Sequence, residues 1–371
     1  MYTASITGAV YSFINNSIMN INWTDVKTFF INQNEVTKIQ LNGTTLWQKS
    51  SGPTPGPDYT EPFYIEDLSG SSNNIVMAKI YEGPSLTVEY SSDKTNWSSI
   101  TFSNTSDRNI SLSANGKVYF RCTTNSWSNT GKSVWFKNAT GNIKVGGNIM
   151  SLLFGSSFTG QETTLPSSTY TFSNIFKENY SLVDASDLLL PATTLVSNCY
   201  NGMFFQCTAL STPPTILPAT TLQPYCYYEM FCKCYALTAT PVLPATTLAT
   251  CCYSSMFNYC LYYLTQAPAL PATTLAYGCY QNMFYYCTSL TTAPELPATT
   301  LADFCYYGMF TGCSSLEYIK CLATDVSQLY CTYNWVKNVS ASGTFVKDAT
   351  MSSWTTGIDG IPTGWTVEDA S

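Results

Sequence analysis

Residues 296–316 read LPATTLADFCYYGMFTGCSSL, from Leu296 through Cys305, Met309 and Cys313 to Leu316. The opening hexapeptide LPATTL occurs five times, starting at Leu190, Leu217, Leu243, Leu270 and Leu296, at intervals of 27, 26, 27 and 26 residues. The residues after each copy repeat as well. Four residues beyond the last Leu stands a Cys-Tyr pair, then a Met-Phe pair, then a second Cys. Self-similarity at such a period is the mark of stacked repeats, each too small to bury its own apolar face.

With the first Cys of each copy numbered 0, the apolar residues fall at 0, +1, +4, +5 and +8. On an ideal helix, at about 100° per residue, these positions share an arc of about 140°, wide enough to face a core. Leu210, Leu237, Leu290 and Leu316 continue the stripe; in the third copy that place holds Tyr263, with Leu264 next. Proline lacks an N–H and restricts its predecessor, so the Leu-Pro stretches are extended. The expectation is one short helix and one short extended segment per repeat.

Leu-Pro-x-x-x-Leu followed by a short helix ending Phe-x-x-Cys-x-x-Leu resembles the BspA-type leucine-rich repeat. The usual form has Ile-Gly and Ala-Phe where this chain has Cys-Tyr and Met-Phe. The resemblance covers roughly residues 150–330, and this variant is similar to proteins of gut Bacteroidales and of the bacteriophages that infect them. It implies an extracellular or virion binding protein rather than an enzyme.

Outward from the repeats, residues 1–50 read as a small β-module. Its clearest element is a hairpin, Val36–Leu41 and Thr44–Trp47 around Asn42-Gly43, the strongest short turn signal. Similar hairpins ending in Leu-Trp occur in phage structural proteins, so the resemblance implies an attachment module; a plain β-module without a docking role is the other reading. Residues 51–58, SGPTPGPD, form a proline-stiffened linker. Residues 59–148 hold seven strand-like runs with frequent turns, which suggests an immunoglobulin-like β-sandwich. Its single cysteine, Cys122, is expected as a small core thiol. A leucine-rich-repeat solenoid is expected over 149–320. Its first copy is degenerate, with Ile175-Phe176, Asn179 and Leu182 in the places of Met-Phe, Cys and Leu. A C-terminal cap occupies 321–371. The fold class is thus mixed β and α: β-module, sandwich, then solenoid with one short helix per repeat.

Composition narrows the function. The chain has 11 % charged residues, 15 % aromatic residues, a net charge of −7 and no histidine. An acidic, charge-poor chain lacks the electrostatic footprint for nucleic acid, and no apolar run is long enough for membrane insertion. Without histidine the commonest general base and metal ligand are missing. Between Leu188 and Leu316 the charged residues are Glu229, Lys233, Glu295 and Asp303. Of these, Glu295 and Asp303 are the nearest to a carboxylate pair of the kind glycoside hydrolysis needs, and neither recurs in other copies. Catalytic residues, cofactors and metal are therefore expected to be none. The Cys-x7-Cys spacing differs from structural zinc spacing and suits a buried ladder of reduced thiols, while Cys321 and Cys331 lie outside the ladders and could pair under oxidant. The first residues lack the charge and cleavage pattern of a signal peptide, so folding in a reducing cytosol is expected.

Two functions remain. One is a non-enzymatic phage virion protein (fibre, decoration or receptor-binding), made in the host cytoplasm and carried on the virion. It would be held to other virion proteins by the N-terminal module. The other is a bacterial cell-surface adhesin. For either, positions −1, +2, +3 and +6 point away from the stripe and +7 lies at its margin. They carry Tyr225, Tyr228, Tyr259, Tyr285, Tyr286, Phe304 and Tyr307. Tyrosine offers rigid amphipathic contact area, and with little charge nearby the partner would be a neutral host-surface glycan, or a protein. The same rings would equally serve to cover the coil or to pack against another copy in a homo-oligomer.

Overall fold

The computed structural model describes residues 57–370, apart from 80–84, 123–133, 167–168 and 353, together with the backbone of six strands before residue 57. Two compact units divide at Asp58. In the first, β1 (Tyr2–Ile6), β2 (Ala9–Phe13), β3 (Phe29–Ile31) and β4 (Asn34–Val36) form a sheet in the order β2-β1-β3-β4. The hairpin of β5 (Lys38–Leu41) and β6 (Thr44–Gln48) sets Leu41 opposite Thr44, the register a two-residue connection requires. Residues 51–56 of the expected linker lie outside the described residues.

The second unit opens with eight strands: β7 (Tyr64–Asp67), β8 (Asn73–Lys79), β9 (Leu86–Ser91), β10 (Ser98–Phe102), β11 (Arg108–Leu112), β12 (Lys117–Cys122), β13 (Val134–Ala139) and β14 (Ile143–Asn148). β7 carries none of the turn-bounded β-branched runs that mark the other seven. Next come a four-residue helix, α1 (Ser151–Phe154), and then β15 (Leu182–Leu189). One sheet has the order β10-β9-β12-β7-β14-β15 and the other β11-β8-β13. Alternating burial along the strands turns one face of each sheet inward. Phe63, Phe120 and Phe136 meet between the sheets at 5.2–5.8 Å, and Phe176 of the first repeat joins them. β15 pairs in parallel with β14, so the edge sheet is not the wholly antiparallel arrangement of an immunoglobulin sandwich, and it runs directly into the repeats.

The repeats overturn the expected fold class. Among the described residues the helical ones are α1 and one 3-10 turn, Gly155–Ser157; the other regular structure is strand. The segments expected as one short helix per repeat are runs of successive tight turns. In the first LPATTL copy, Cys199, Asn201, Met203, Phe205 and Cys207 donate their N–H to the carbonyl three residues back, at 2.9–3.3 Å. The alternate residues Tyr200, Gly202, Phe204 and Gln206 donate instead to Cys226, Tyr228, Met230 and Cys232 of the next copy, at 2.8–2.9 Å. Half the backbone donors thus close turns and half bind the neighbouring copy, which accounts for the N–H groups a helix would have satisfied internally. The reason lies in every fourth residue: positions −1, +3 and +7 adopt the left-handed region, as at Asn198 (φ 59°), Gly202 (φ 59°) and Gln206 (φ 60°). An α-helix does not tolerate this conformation. The apolar spacing 0, +1, +4, +5, +8 fits a four-residue period as well as a helical one.

Each copy stacks on the next with its apolar pairs in columns. Phe204, Phe231, Phe257, Phe284 and Phe310 lie nearly parallel, their ring centres 5.3–5.8 Å apart. Tyr200, Tyr227, Tyr253, Tyr280 and Tyr306 form a second column at 5.6–6.1 Å. Phe172 begins this column next to Tyr200, and Trp335 and then Trp354 continue it beyond Tyr306. The second cysteines have a specific role. Cys207, Cys234, Cys260, Cys287 and Cys313 each donate from Sγ to the Phe carbonyl of the preceding copy, at 2.9–3.2 Å. In the degenerate first copy Asn179 donates in the same way to Phe136, at 3.0 Å. All fifteen cysteines, Cys122, Cys321 and Cys331 included, are buried thiols outside any disulfide.

The pattern also outlasts Leu316. CLATDV at Cys321–Val326 takes the place of LPATTL, and Tyr306, Gly308, Phe310 and Gly312 donate to Cys331, Tyr333, Trp335 and Lys337 in the register of the earlier copies. The chain ends on a parallel sheet of β16 (Tyr318–Cys321), β17 (Thr344–Lys347) and β18 (Thr366–Asp369).

Candidate binding surface

The turn geometry, not a helical wheel, places the outward residues. Positions −1 and +7 are left-handed corners whose side chains leave the core, and +2 and +6 lie beside them. Tyr225 and Phe304 occupy −1, Tyr228 and Tyr307 occupy +2, Tyr285 occupies +6, and Tyr259 and Tyr286 occupy +7. Of the seven, Tyr225 is exposed and the others are half-buried. By contrast, the Tyr at +1 in every copy is a core residue.

The seven rings fall into three groups. Tyr225 and Tyr228 meet edge-on at 5.8 Å. Tyr259 stacks on Tyr286 at 5.2 Å, and Tyr285 packs against both. Phe304 lies 5.8 Å from Tyr307. Between the first group and Tyr307, position +2 holds Ser254 and Gln281, and no ring contact among the described residues bridges that gap. The third group gains three rings that the helical wheel does not select. Tyr277 and Tyr330 pack on Phe304, and Tyr333 stacks on Tyr307 at 5.3 Å. Tyr330 and Tyr333 stand at −1 and +2 of the degenerate sixth copy, so aligning Cys331 with the first Cys of the earlier copies would have found them. Tyr262 and Tyr263 are further surface residues outside the expected set. One extra residue in the third copy lets Leu264 fill the core slot and leaves both tyrosines about 60 % exposed.

Four of the seven candidates hold left-handed backbone: Tyr225 (φ 56°), Tyr259 (φ 59°), Tyr286 (φ 58°) and Phe304 (φ 58°). Equivalent corners elsewhere carry Asn198 and Gly278 at −1 and Gly312 at +7, which suit it, and Cys251, Gln206 and Lys233, which share the strain. A bulky side chain there costs on the order of 1–2 kcal/mol.

Burial first, then Glu229, pushes the Tyr228 hydroxyl up to about 12, and burial raises Tyr285 with its neighbours Tyr259 and Tyr286. The two carboxylates nearest to a catalytic pair in sequence are engaged separately. Glu295 forms an ion pair with Lys320 at 3.1 Å, and Asp303 accepts the Leu329 N–H at 2.9 Å. Among the described residues no three His, Cys, Asp or Glu side chains are grouped to hold a metal ion, and no helix is long and apolar enough to cross a membrane. Comparison with protein-family models, curated proteins and solved structures finds no match to the chain.

Proposed function

We propose that the chain is a non-enzymatic binding protein of a phage virion, held to other virion proteins by its N-terminal module. In this reading its repeats present an aromatic surface to a neutral glycan on the host or its mucosal environment. The observation that carries the binding role is the set of aromatic residues kept in left-handed backbone at Tyr225, Tyr259, Tyr286 and Phe304. Backbone strain held at surface side chains is a mark of functional sites. A polar glycan suits these rings because C–H faces of sugars pack on aromatic edges and faces while phenol hydroxyls hydrogen-bond.

Two experiments test the two halves of the proposal. Mass spectrometry on purified virions and on host envelopes should find the chain in the virion, and a chain beginning at Tyr59 should fail to incorporate. Recovery from the cell envelope alone overturns the virion assignment. For binding, Tyr228→Ala combined with Tyr285→Ala should abolish retention on host-surface polysaccharide without lowering Tm. Tyr225→Gly should weaken retention while leaving Tm equal or higher, because it relieves left-handed strain. Undiminished retention by both variants overturns the aromatic surface as the binding site.

A further inference from the structure

A concave site lies apart from the aromatic surface, where the degenerate first copy meets the first LPATTL copy. There QETTLP at Gln161–Pro166 runs beside LPATTL at Leu190–Leu195, and Thr193 and Thr194 donate to the Thr163 carbonyl at 2.9 and 3.1 Å. Gly160 therefore takes the place that Leu fills in later copies, and a cavity of about 370 Å³ opens. That volume is within the range of small-molecule sites.

The walls are fixed. Gly160 has φ 82°, and a Cβ there would stand 2.5 Å from the Tyr59 carbonyl oxygen. The same carbonyl accepts a hydrogen bond from the fully buried Asn148 at 3.0 Å. Glu162, the nearby carboxylate, is occupied with its own turn, accepting from Thr159 and Gly160 at 2.7–2.9 Å. The lining carries no charged residue. Tyr59 and Ile216 give exposed apolar surface, 41 % and 42 % accessible. Gln161, Thr193 and Thr215 stand around them, and their side chains hold no hydrogen bond to any described residue.

From this combination we infer that the cavity binds one uncharged pyranose ring of a glycan. An ionic ligand would meet no counter-charge, and a purely apolar one would strand the polar side chains of the lining. A neutral sugar satisfies both demands: its C–H face packs on Tyr59 and Ile216, and its hydroxyls pair with the Gln161 amide and the two threonine hydroxyls. The site is independent of the aromatic surface and of where the protein is carried.

Saturation-transfer NMR on the full chain with methyl glycosides of glucose, galactose, mannose, fucose and N-acetylglucosamine tests the inference. At least one should bind. Ile216→Trp, which fills the cavity, should abolish that binding. Gln161→Leu with Thr193→Val should weaken it about tenfold or more through the lost hydrogen bonds. These residues are surface-exposed, and near-ultraviolet circular dichroism verifies the fold of each variant. Tyr228→Ala with Tyr285→Ala should leave glycoside binding unchanged, which separates this site from the aromatic surface. The inference is overturned if none of the five glycosides binds at millimolar concentration, or if binding survives in both cavity variants.

Discussion

The two-sheet region and the repeat column are parts of one core built on opposite packing rules. Between the sheets, Phe63, Phe120 and Phe136 meet at 37°, 60° and 75°, each ring in a setting of its own. In the column, consecutive Phe rings from Phe204 to Phe310 lie within 3–7° of parallel. The sheet region satisfies a buried carboxylate locally. Asp67 accepts from the backbone of Ser69, Gly70 and Asn115 and from the Asn73 amide. The column instead satisfies its backbone by translation, each copy donating to the next. A lost contact in the sheets is therefore a local event, whereas in the column it is felt on both sides.

The sharpest break of that contrast is Phe257→Ala. It removes a ring stacked at 5.6 Å on Phe231 and 5.7 Å on Phe284, and denaturant unfolding should show a loss of about 3–5 kcal/mol. A loss under about 1 kcal/mol would mean the column is not close-packed. Next in size, Asp67→Ala leaves the buried Asn73 amide and three partly buried loop N–H groups without their acceptor and should cost about 2 kcal/mol. This carboxyl also gives the sheets a pH signature. Burial by itself would raise its pKa, but hydrogen bonds from Ser69, Asn115 and Asn73 hold it well below the usual carboxylate range. Its stabilisation is thus present above the unfolded-state pKa and lost as pH falls below about 4. Acid titration of stability should be flatter in Asp67→Asn than in the parent.

Smaller effects test the turns. Gly308→Ala places a Cβ at φ 58°, 2.2 Å from the Asn282 amide oxygen, and should cost about 1–2 kcal/mol. Ser255 occupies the same +3 corner at φ 56°, so Ser255→Gly should raise stability by up to about 1 kcal/mol. Opposite signs at equivalent corners sharpen the turn geometry; equal signs break it. Least of all in energy, the ladder thiols should alkylate only as fast as the protein opens. Burial pushes Cys207 and Cys287 up to about 12, which leaves almost no thiolate near neutrality.

The repeat and its buried residues were legible because Cys, Tyr, Met, Phe and Leu recur at fixed offsets. The backbone was not. Apolar residues at 0, +1, +4, +5 and +8 satisfy a helix and a four-residue turn alike. The discriminating residues were Asn198, Gly202, Gly278, Asn282, Gly308 and Gly312, poor helix formers that recur at −1, +3 and +7. Of the candidate surface, the seven rings at −1, +2, +6 and +7 leave the core as the wheel expects, but +3, which the wheel also turns outward, is buried at Gly202, Ser255 and Gly308. Tyr330 and Tyr333 escaped because Trp335 stands where Met would mark the copy. Tyr262 and Tyr263 escaped because a one-residue insertion shifts which side chain reaches the core. The cavity beside Tyr59 was beyond the sequence, because Gly160 and Tyr59 come together only through the fold.

Because Tyr200, Gly202, Phe204 and Gln206 hand their hydrogens forward to the next copy, every copy ends in the acceptor face that its predecessor began with. The column is thus a molecular ruler whose graduations are interchangeable. Excision of residues 217–269 would rejoin Leu270 to the segment that now precedes Leu217, with Phe204 meeting Phe284 in place of Phe231. Loss or gain of whole copies therefore changes the length of the column, and the number of aromatic corners it displays, without redesigning a core.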